Sequence, residues 1–263
     1  MVGKAMTGDR ASIEALIFDA YGTLFDTHSV VAALESDFPG RGEYLTQLWR
    51  LKQLEYSWLR TAGEDYQDFA EVTRAALRYS LATLGLPADG EQVKKLAAAY
   101  DRLTLYPDVL SALDSLAGRR LAIFSNGSPD MLKALTMNAG VIDRFETLIS
   151  VDAARAFKPS PKAYQLACDR LGLRPNQVLL VSSNGFDLQG AGRFGLRTVR
   201  IERFKGENLR DRLGQGSIDV SAMFLALRSQ VECMDPAPEV TIDTLLELER
   251  ALVQVETSYT KTR

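Results

Sequence analysis

Side chains that can do nucleophilic or acid–base chemistry stand in this sequence directly after short apolar runs. Asp19 follows four consecutive apolar residues, and Gly22 and Thr23 then break the run. A short apolar run bounded by such turn signals is typical of a buried strand of a parallel sheet. Because catalytic groups collect at the carboxyl ends of parallel strands, Asp19 is a candidate nucleophile or metal ligand. The alternative at this point is an aspartate that caps a helix.

Two further stretches, 120–124, which is apolar after Arg120, and the apolar 178–181, are also followed by polar side chains. Between them, Lys158 stands in a loop ahead of a helix, for which Ser160 is the predicted N-cap and Pro161 the first-turn residue. The carboxyl ends of parallel strands share one edge of a sheet, so these side chains are expected to meet there. The polar residues predicted at this edge are Asp19, Ser125, Asn126, Lys158, Ser182, Asn184 and Asp187.

These motifs, in this order, resemble those of the haloacid dehalogenase superfamily and, in detail, its L-2-haloacid dehalogenase branch. The Asp-x-Tyr-Gly-Thr-Leu-Phe-Asp opening begins at Asp19, and a Trp-Arg-x-Lys-Gln-Leu-Glu-Tyr run begins at Trp49. Ser-Asn-Gly-Ser begins at Ser125, Lys-Pro at Lys158 and Ser-Ser-Asn-x-x-Asp at Ser182. The resemblance implies an α/β fold: a Rossmann-like, doubly wound parallel sheet with a helical cap inserted after the first strand.

Length, charge and cysteine content narrow the class of protein. The 263 residues suffice for a core domain with a smaller companion. A net charge of -3 gives no overall attraction to nucleic acid or an anionic membrane, so neither is an expected partner. Cys168 and Cys233 indicate free thiols rather than a disulfide framework. Without a signal-peptide core or an apolar run of about 20 residues, the protein is predicted to be cytoplasmic.

Helical periodicity dominates the segment after the first strand. Apolar residues recur at helical spacing over 44–58, 66–84 and 91–103. An all-helical insertion at this point is expected to lie as a cap over the catalytic edge of the sheet. We place its boundaries at 27–105.

The rest of the chain alternates strand and helix, which predicts a parallel sheet with helices on both sides. The core domain is accordingly assigned to 13–26 and 106–258, with further strands at 145–151 and 196–201 and a helix at 107–118. Residues 1–12, which carry no periodic pattern, are predicted to be a disordered leader.

The last part of the chain departs from the pattern of the family. The segment 205–232 contains a helical stretch at 222–231 and is interpreted as an insertion. A dimer contact and an inert surface loop are both consistent with it. A final helix is predicted over 242–252, and the family resemblance implies a homodimer.

The position two residues after the candidate nucleophile bears on the choice of chemistry. Magnesium phosphatases of the superfamily carry a second Asp there, whereas this chain carries Tyr21. Magnesium needs several oxygen ligands, including carboxylates, and Tyr21, Ser182 and Ser183 are poor substitutes. We therefore predict no metal and no other cofactor. Without magnesium, a phosphoryl group would meet Asp19 with its charge largely uncompensated.

The resemblance implies hydrolytic dehalogenation of small L-2-haloacids. Asp19 would attack the halogen-bearing carbon with inversion, and water would hydrolyse the resulting ester to a D-2-hydroxy acid. Arg50 and Asn126 are expected to stabilise the departing halide ion. Lys158 would offset the repulsion between Asp19 and the 2-halocarboxylate. Asp187 would either position Lys158 or activate the hydrolytic water, and both roles stay open.

Other residues are expected to support the nucleophile. Thr23, Ser182 and Asn184 would orient Asp19 by hydrogen bonds, and Ser125 would bind the substrate carboxylate.

A pocket for a haloacid also needs walls that keep water away during the displacement. Tyr164 faces Lys158 by the family resemblance. Related enzymes usually carry Trp at the position of Phe186 and Gln at that of Leu51, so preference for chain length and halogen stays open. The residues predicted to line the pocket are Tyr21, Leu51, Leu54, Phe69 and Phe186.

Two alternative functions stay open: a phosphatase with unusual magnesium ligands, and a non-catalytic protein that binds small acids. The presence of the full set Asp19, Arg50, Lys158 and Asp187 argues against the second, because a binding protein has no need of an in-line nucleophile. A serine hydrolase is not indicated, since the sequence has no G-x-S-x-G turn and His28 is its only histidine.

Overall fold

The computed structural model describes residues 12–205 and 232–258. A six-stranded parallel sheet in the order β5-β4-β1-β6-β7-β8 forms its centre, and β2 pairs antiparallel with β3. In chain order the strands are β1 (Ala15–Phe18), β2 (Phe25–Asp26), β3 (Thr104–Leu105), β4 (Arg120–Ser125), β5 (Thr147–Ser150), β6 (Val178–Ser182), β7 (Arg197–Ile201) and β8 (Val240–Ile242).

The helices begin at recognisable caps. The side chains of Asp68, Asp89 and Ser128 each accept a hydrogen bond from a backbone N–H of the first turn that follows them. In chain order the helices are α1 (Val31–Asp37), α2 (Gly42–Ala62), α3 (Phe69–Thr83), α4 (Gly90–Ala97), α5 (Val109–Ser115), α6 (Pro129–Asn138), α7 (Pro161–Leu171), α8 (Gly185–Phe194) and α9 (Leu248–Ser258).

The central strand β1 lies between β4 and β6 and is buried along its whole length. Its last residue, Phe18, is in register with Ile123 of β4 and Val181 of β6. The residues that follow these strands therefore emerge at one edge of the sheet. The prediction of a Rossmann-like parallel sheet flanked by helices is confirmed.

Helices α1 to α4 form the insertion between β2 and β3, and they contact the core at the edge where Asp19 lies. The Tyr66 hydroxyl donates to Asp152 Oδ1 at 2.8 Å, and the Phe157 N–H donates to Thr61 Oγ1 at 3.0 Å. Where the chain returns from the insertion, the Tyr106 N–H donates to the carbonyl oxygen of Leu24 at 3.0 Å. The two chain crossings into the insertion thus run side by side.

The last element differs from its prediction. A helix was expected over 242–252, but Ile242 ends the strand β8, and α9 begins at Leu248. Val240, Thr241 and Ile242 are all β-branched, which favours the strand, and β8 pairs parallel with β7. A strand of three residues is too short for alternation to be visible in the sequence.

Other boundaries differ by a few residues. The helix predicted over 91–103 ends at Ala97 and continues as the 3-10 turn Ala98–Arg102. The strand predicted over 145–151 and the helix predicted over 107–118 are shortened to β5 and α5. Helix α1 and the short pair β2–β3 had no counterpart in the sequence pattern.

Two predictions fall outside the described residues: the leader at 1–12 and the insertion at 205–232, each apart from its end residues 12, 205 and 232. Both cysteines are free, as predicted; Cys168 is buried and Cys233 is exposed. Within 12–205 and 232–258, no helix is both long and apolar enough to cross a membrane.

Candidate active site

Asp19 directly follows β1, and the residue is only 5% exposed. Its Oδ2 accepts hydrogen bonds from Thr23 Oγ1 at 3.0 Å and from Asn184 Nδ2 at 2.6 Å. Its Oδ1 accepts from Lys158 Nζ at 3.3 Å. Two donors on Oδ2 fix the plane of the carboxylate, and Oδ1 keeps the weaker contact, so the geometry presents Oδ1 as the attacking oxygen. Thr23 and Asn184 lie where the sequence predicts them.

A tight loop holds the nucleophile. The Asp19 N–H donates to the carbonyl oxygen of Val181 at 3.0 Å, and Gly22 has a φ of +85°, which favours glycine. Ser183, which had no predicted role, closes this loop. Its N–H donates to Thr23 Oγ1 at 2.9 Å, and its hydroxyl donates to the carbonyl oxygen of Gly22 at 2.6 Å.

Lys158 is buried beside Asp19, with a side chain 1% exposed. Its ammonium group donates to Asp187 Oδ2 at 2.8 Å and to the carbonyl oxygen of Phe124 at 2.7 Å, in addition to Asp19. A buried ammonium needs such compensation, because desolvation of an isolated charge is costly. Lys158 is therefore held as a cation between the two carboxylates and next to the attacking oxygen.

Asp187 is fully buried, and burial raises the pKa of its carboxyl to about 6, against the opposing effect of Lys158. The Tyr164 hydroxyl donates to Asp187 Oδ1 and to the Asp187 carbonyl oxygen, each at 3.0 Å. Tyr164, expected to face Lys158, thus reaches it through the carboxylate between them. Both carboxylate oxygens of Asp187 are occupied, which fits a residue that positions Lys158.

Three polar residues at the carboxyl ends of β4 and β6 form hydrogen bonds to backbone N–H groups. Ser182 Oγ accepts from the Asn184 N–H at 3.1 Å, so Ser182 positions Asn184 rather than contacting Asp19 as predicted. Ser125 Oγ accepts from the Gly127 N–H at 3.2 Å. Asn126 Oδ1 accepts from the Lys158 N–H at 2.9 Å, which leaves its amide nitrogen as the end that can donate to an anion.

Arg50 lies on α2 in the insertion and is 3% exposed. Its Nη1 donates to Gln53 Oε1 at 2.7 Å, Gln53 Nε2 donates to Thr73 Oγ1 at 2.8 Å, and Thr73 Oγ1 donates to the carbonyl oxygen of Phe69 at 2.6 Å. Arg50 Nε has no partner among the described residues. Within residues 12–205 and 232–258, no carboxylate forms an ion pair with Arg50. A buried guanidinium held by neutral groups is suited to bind an anion.

The predicted apolar walls differ in burial. Phe69 is buried, and Phe186 is partly buried, with Trp58 of α2 packed edge-on against it at 5.3 Å between ring centroids. Leu54 is also partly buried, but Leu51 is 41% exposed. Successive residues of a helix lie about 100° apart, so the inward direction of Arg50 turns Leu51 toward the surface. Leu51 is therefore not brought into the buried site.

Arg203 supports the nucleophile loop from the end of β7, and the sequence pattern did not indicate it. Its Nε and Nη2 donate to the carbonyl oxygen of Thr23 at 3.0 and 2.7 Å, and its Nη1 lies 2.9 Å from both carboxylate oxygens of Asp108. Burial acts to raise the pKa of Asp108, but the Leu245 N–H and the Arg203 guanidinium outweigh it and lower that pKa.

The donor set at the sheet edge does not suit the magnesium ion of related phosphatases. Tyr21, Ser182 and Ser183 offer hydroxyls where carboxylates are needed, and the Lys158 ammonium already occupies the space beside Asp19. Among the residues that the structure describes, no three His, Cys, Asp or Glu side chains are grouped to hold a metal.

Comparison with known proteins identifies the family. The profile of a hydrolase family, the haloacid dehalogenase-like hydrolases, matches residues 13–195. The chain belongs to this family. The resemblance seen in the sequence motifs is thereby confirmed.

Several relatives of this haloacid dehalogenase-like hydrolase are dehalogenases. It is 52% identical over 238 residues to an (S)-2-haloacid dehalogenase of Xanthobacter autotrophicus, covering 90% of this chain and 94% of the relative. It is 46% identical over 195 residues to (S)-2-haloacid dehalogenase 4A of Burkholderia cepacia, covering 73% and 84%. The solved L-2-haloacid dehalogenase of X. autotrophicus with chloropropionic acid covalently bound superimposes with a TM-score of 0.89 at 51% identity, covering 92% and 98%.

Proposed function

We propose that this chain hydrolyses the carbon–halogen bond of small L-2-haloacids to give D-2-hydroxy acids, without a metal or other cofactor. The observation that carries the proposal is the carboxylate of Asp19: Thr23 and Asn184 orient its Oδ2, while Oδ1 faces a buried ammonium group. A weak nucleophile held in this way suits in-line attack on a carbon that bears a leaving group. The relationship to (S)-2-haloacid dehalogenases supports the choice of substrate.

In the first step, Asp19 attacks the halogen-bearing carbon and the halide leaves from the opposite side, so the configuration inverts. The charge that develops on the halide is stabilised by Arg50 and by the amide of Asn126. Lys158 reduces the repulsion between Asp19 and the substrate carboxylate, for which Ser125 is the proposed donor.

In the second step, water attacks the carboxyl carbon of the Asp19 ester and releases the hydroxy acid. This route makes a prediction that direct displacement by water does not share. In a single turnover in water labelled with oxygen-18, the product hydroxyl should contain unlabelled oxygen from Asp19, and the label should appear in the protein. Label in the product of the first turnover would exclude the ester.

The proposed function is tested by halide release from separate L- and D-2-chloropropionate, each with and without EDTA. Release from the L form alone, unaffected by EDTA, is expected, and Asp19→Asn should abolish it. Magnesium-dependent hydrolysis of a phosphate monoester, with no halide release, would instead assign the site to phosphoryl transfer. Binding of the haloacid without turnover would assign it to a non-catalytic protein.

We also propose that segment 27–105 acts as a cap domain over a core domain formed by 13–26 and 106–258.

We propose in addition that the protein is a homodimer. Tyr44, Leu51 and Trp58 of α2 are 48%, 41% and 40% exposed, and their seven-residue spacing places them along one side of the helix. Such a stripe supports contact with a second subunit. Light scattering of the purified protein and of Tyr44→Glu would test it.

We further propose that the protein functions in the cytoplasm. The two free thiols support a reducing compartment. Fractionation of the source cells would test this, because recovery from the periplasmic or extracellular fraction would contradict it.

A further inference from the structure

The hydroxyl group of Tyr21 is buried in the site and has no hydrogen-bond partner within residues 12–205 and 232–258. The residue is 3% exposed, and its ring packs against Phe69 at 5.7 Å and Tyr100 at 5.9 Å between centroids. A Cβ placed on Gly127 would lie 2.9 Å from the Tyr21 hydroxyl. The hydroxyl therefore lies against the loop that carries Asn126, and Gly127 leaves room for it.

A buried hydroxyl without a hydrogen-bond partner lowers the stability of the folded protein. A buried polar group without a partner forfeits the hydrogen bonds that it makes in water, and natural proteins rarely keep such groups without a reason. Phenylalanine would fill the same space without that cost. The presence of tyrosine at this position therefore indicates a ligand that accepts a hydrogen bond from the hydroxyl.

Arg50 supplies a second hydrogen-bond donor without a partner in the same part of the site. Its Nε has no partner in the described chain, and its guanidinium is anchored through Gln53 and Thr73 to the carbonyl oxygen of Phe69. Phe69 is also the residue on which the Tyr21 ring packs. Burial raises the pKa of Tyr21 well above its usual value, so the phenol stays protonated and can only act as a neutral donor to an anion.

Building on the proposed function, we propose that the Tyr21 hydroxyl is a further catalytic group that donates a hydrogen bond to the departing halide beside Arg50. In this step, the bond between Asp19 oxygen and carbon forms while the carbon–halogen bond breaks, and the electron pair leaves with the halide. Tyr21 keeps its proton throughout and shares it only as a hydrogen bond. The group thereby acts on the charge that develops in the transition state.

Tyr21→Phe tests the proposal by separating activity from stability. For L-2-chloropropionate, kcat should fall about tenfold, the value of one hydrogen bond to a developing charge, with little change in KM. The loss should be smaller for L-2-bromopropionate, because bromide is the weaker hydrogen-bond acceptor. The melting temperature should rise or stay constant, because the substitution removes an uncompensated hydroxyl.

Tyr66→Phe is the matched control, since the Tyr66 hydroxyl donates to Asp152 Oδ1 at 2.8 Å. Loss of that bond should lower the melting temperature, in contrast to Tyr21→Phe. An unchanged kcat in Tyr21→Phe, or an equal loss for both halogens with a lower melting temperature, would overturn the proposal.

The test also distinguishes failure of this inference from failure of the proposed function. If the wild-type protein releases no halide, the proposed function fails, and the binding of sodium bromide then decides on the Tyr21 site. Bromide should raise the melting temperature of the wild type more than that of Tyr21→Phe, with sodium sulfate at matched ionic strength as reference. An equal rise in both proteins, or none, would overturn the halide role of Tyr21.

Discussion

Arg50 and Gln53 are bonded to each other one turn apart on α2, with 2.7 Å between the guanidinium Nη1 and the amide Oε1. Both side chains are buried, and Gln53 passes the bond on to Thr73. The guanidinium is therefore held in place without a counter-charge, which preserves its full positive charge for an anion.

Gln53→Glu tests whether that charge matters. The carboxylate would hold Arg50 in the same place but neutralise it, so kcat for L-2-chloropropionate should fall at least tenfold. Gln53→Met removes the bond without adding charge and should cost less activity. Steady-state kinetics of both variants give the comparison. An equal loss of kcat in the two variants would indicate that Gln53 serves to position Arg50 and that the absence of a negative charge beside Arg50 does not matter.

Removal of Lys158 should destabilise the fold as well as abolish dehalogenation. In Lys158→Met, the carboxylates of Asp19 and Asp187 lose the ammonium group that lies between them. Breaking a buried ion pair on one side costs about 3–5 kcal/mol of unfolding free energy. Urea denaturation measures the loss, and the double variant Lys158→Met with Asp187→Asn should recover part of it. No recovery would mean that the two charges are not coupled.

The pH dependence should show opposite trends in activity and stability. Burial raises the pKa of Asp187 from 3.8 to about 6. Because this pKa is higher in the folded protein than in the unfolded chain, protonation of Asp187 favours folding. Its contribution to the free energy of unfolding is therefore lost as the pH rises from 3.8 to about 6. The ionised form that holds Lys158 appears over the same range, so kcat/KM should rise there. The profile of kcat/KM and urea midpoints from pH 4 to 8 would measure both, and Asp187→Asn should lack the stability trend.

Gly190→Ala should disturb the contact between Tyr164 and Asp187. A Cβ at position 190 would lie 2.6 Å from the Tyr164 hydroxyl and 2.6 Å from Pro159 Cβ. Overpacking of this kind typically costs about 1–3 kcal/mol. Both the urea midpoint and kcat should fall. Gly90→Ala, also in a helix and without a positive φ, has no atom within 4 Å of the added Cβ and is the matched control.

The sequence alone predicted the three strands that consist of short, continuous apolar runs. The apolar runs before Asp19, Ser125 and Ser182 are strands buried on both faces, and such runs are recognisable because no alternation interrupts them. Their parallel arrangement then places the residues that follow them at one edge. The convergence of Asp19, Lys158 and Asp187 follows from this rule and the order of the motifs.

The hydrogen-bond partners were less predictable. The type of Ser182 suggested a contact with Asp19, but the path of the backbone directs it to the Asn184 N–H. The spacing of Arg50 and Gln53 could have indicated their contact, since residues three apart are neighbours on a helix. Arg203 and Asp108 are distant in sequence and meet only through the fold, so no local pattern could have paired them.

The paired crossings into the insertion have a consequence for when the site is able to react. Rotation of the insertion about β2 and β3 would carry Arg50 away from Asp19, whereas Arg203 keeps the carbonyl of Thr23 tied to the core. A dependence of kcat on solvent viscosity would reveal such a motion. The nucleophile would then stay aligned in the open protein but lack the cation that receives the halide. Chemistry would be confined to the closed, water-excluding state, and the ester would form only on substrates small enough to let the insertion shut.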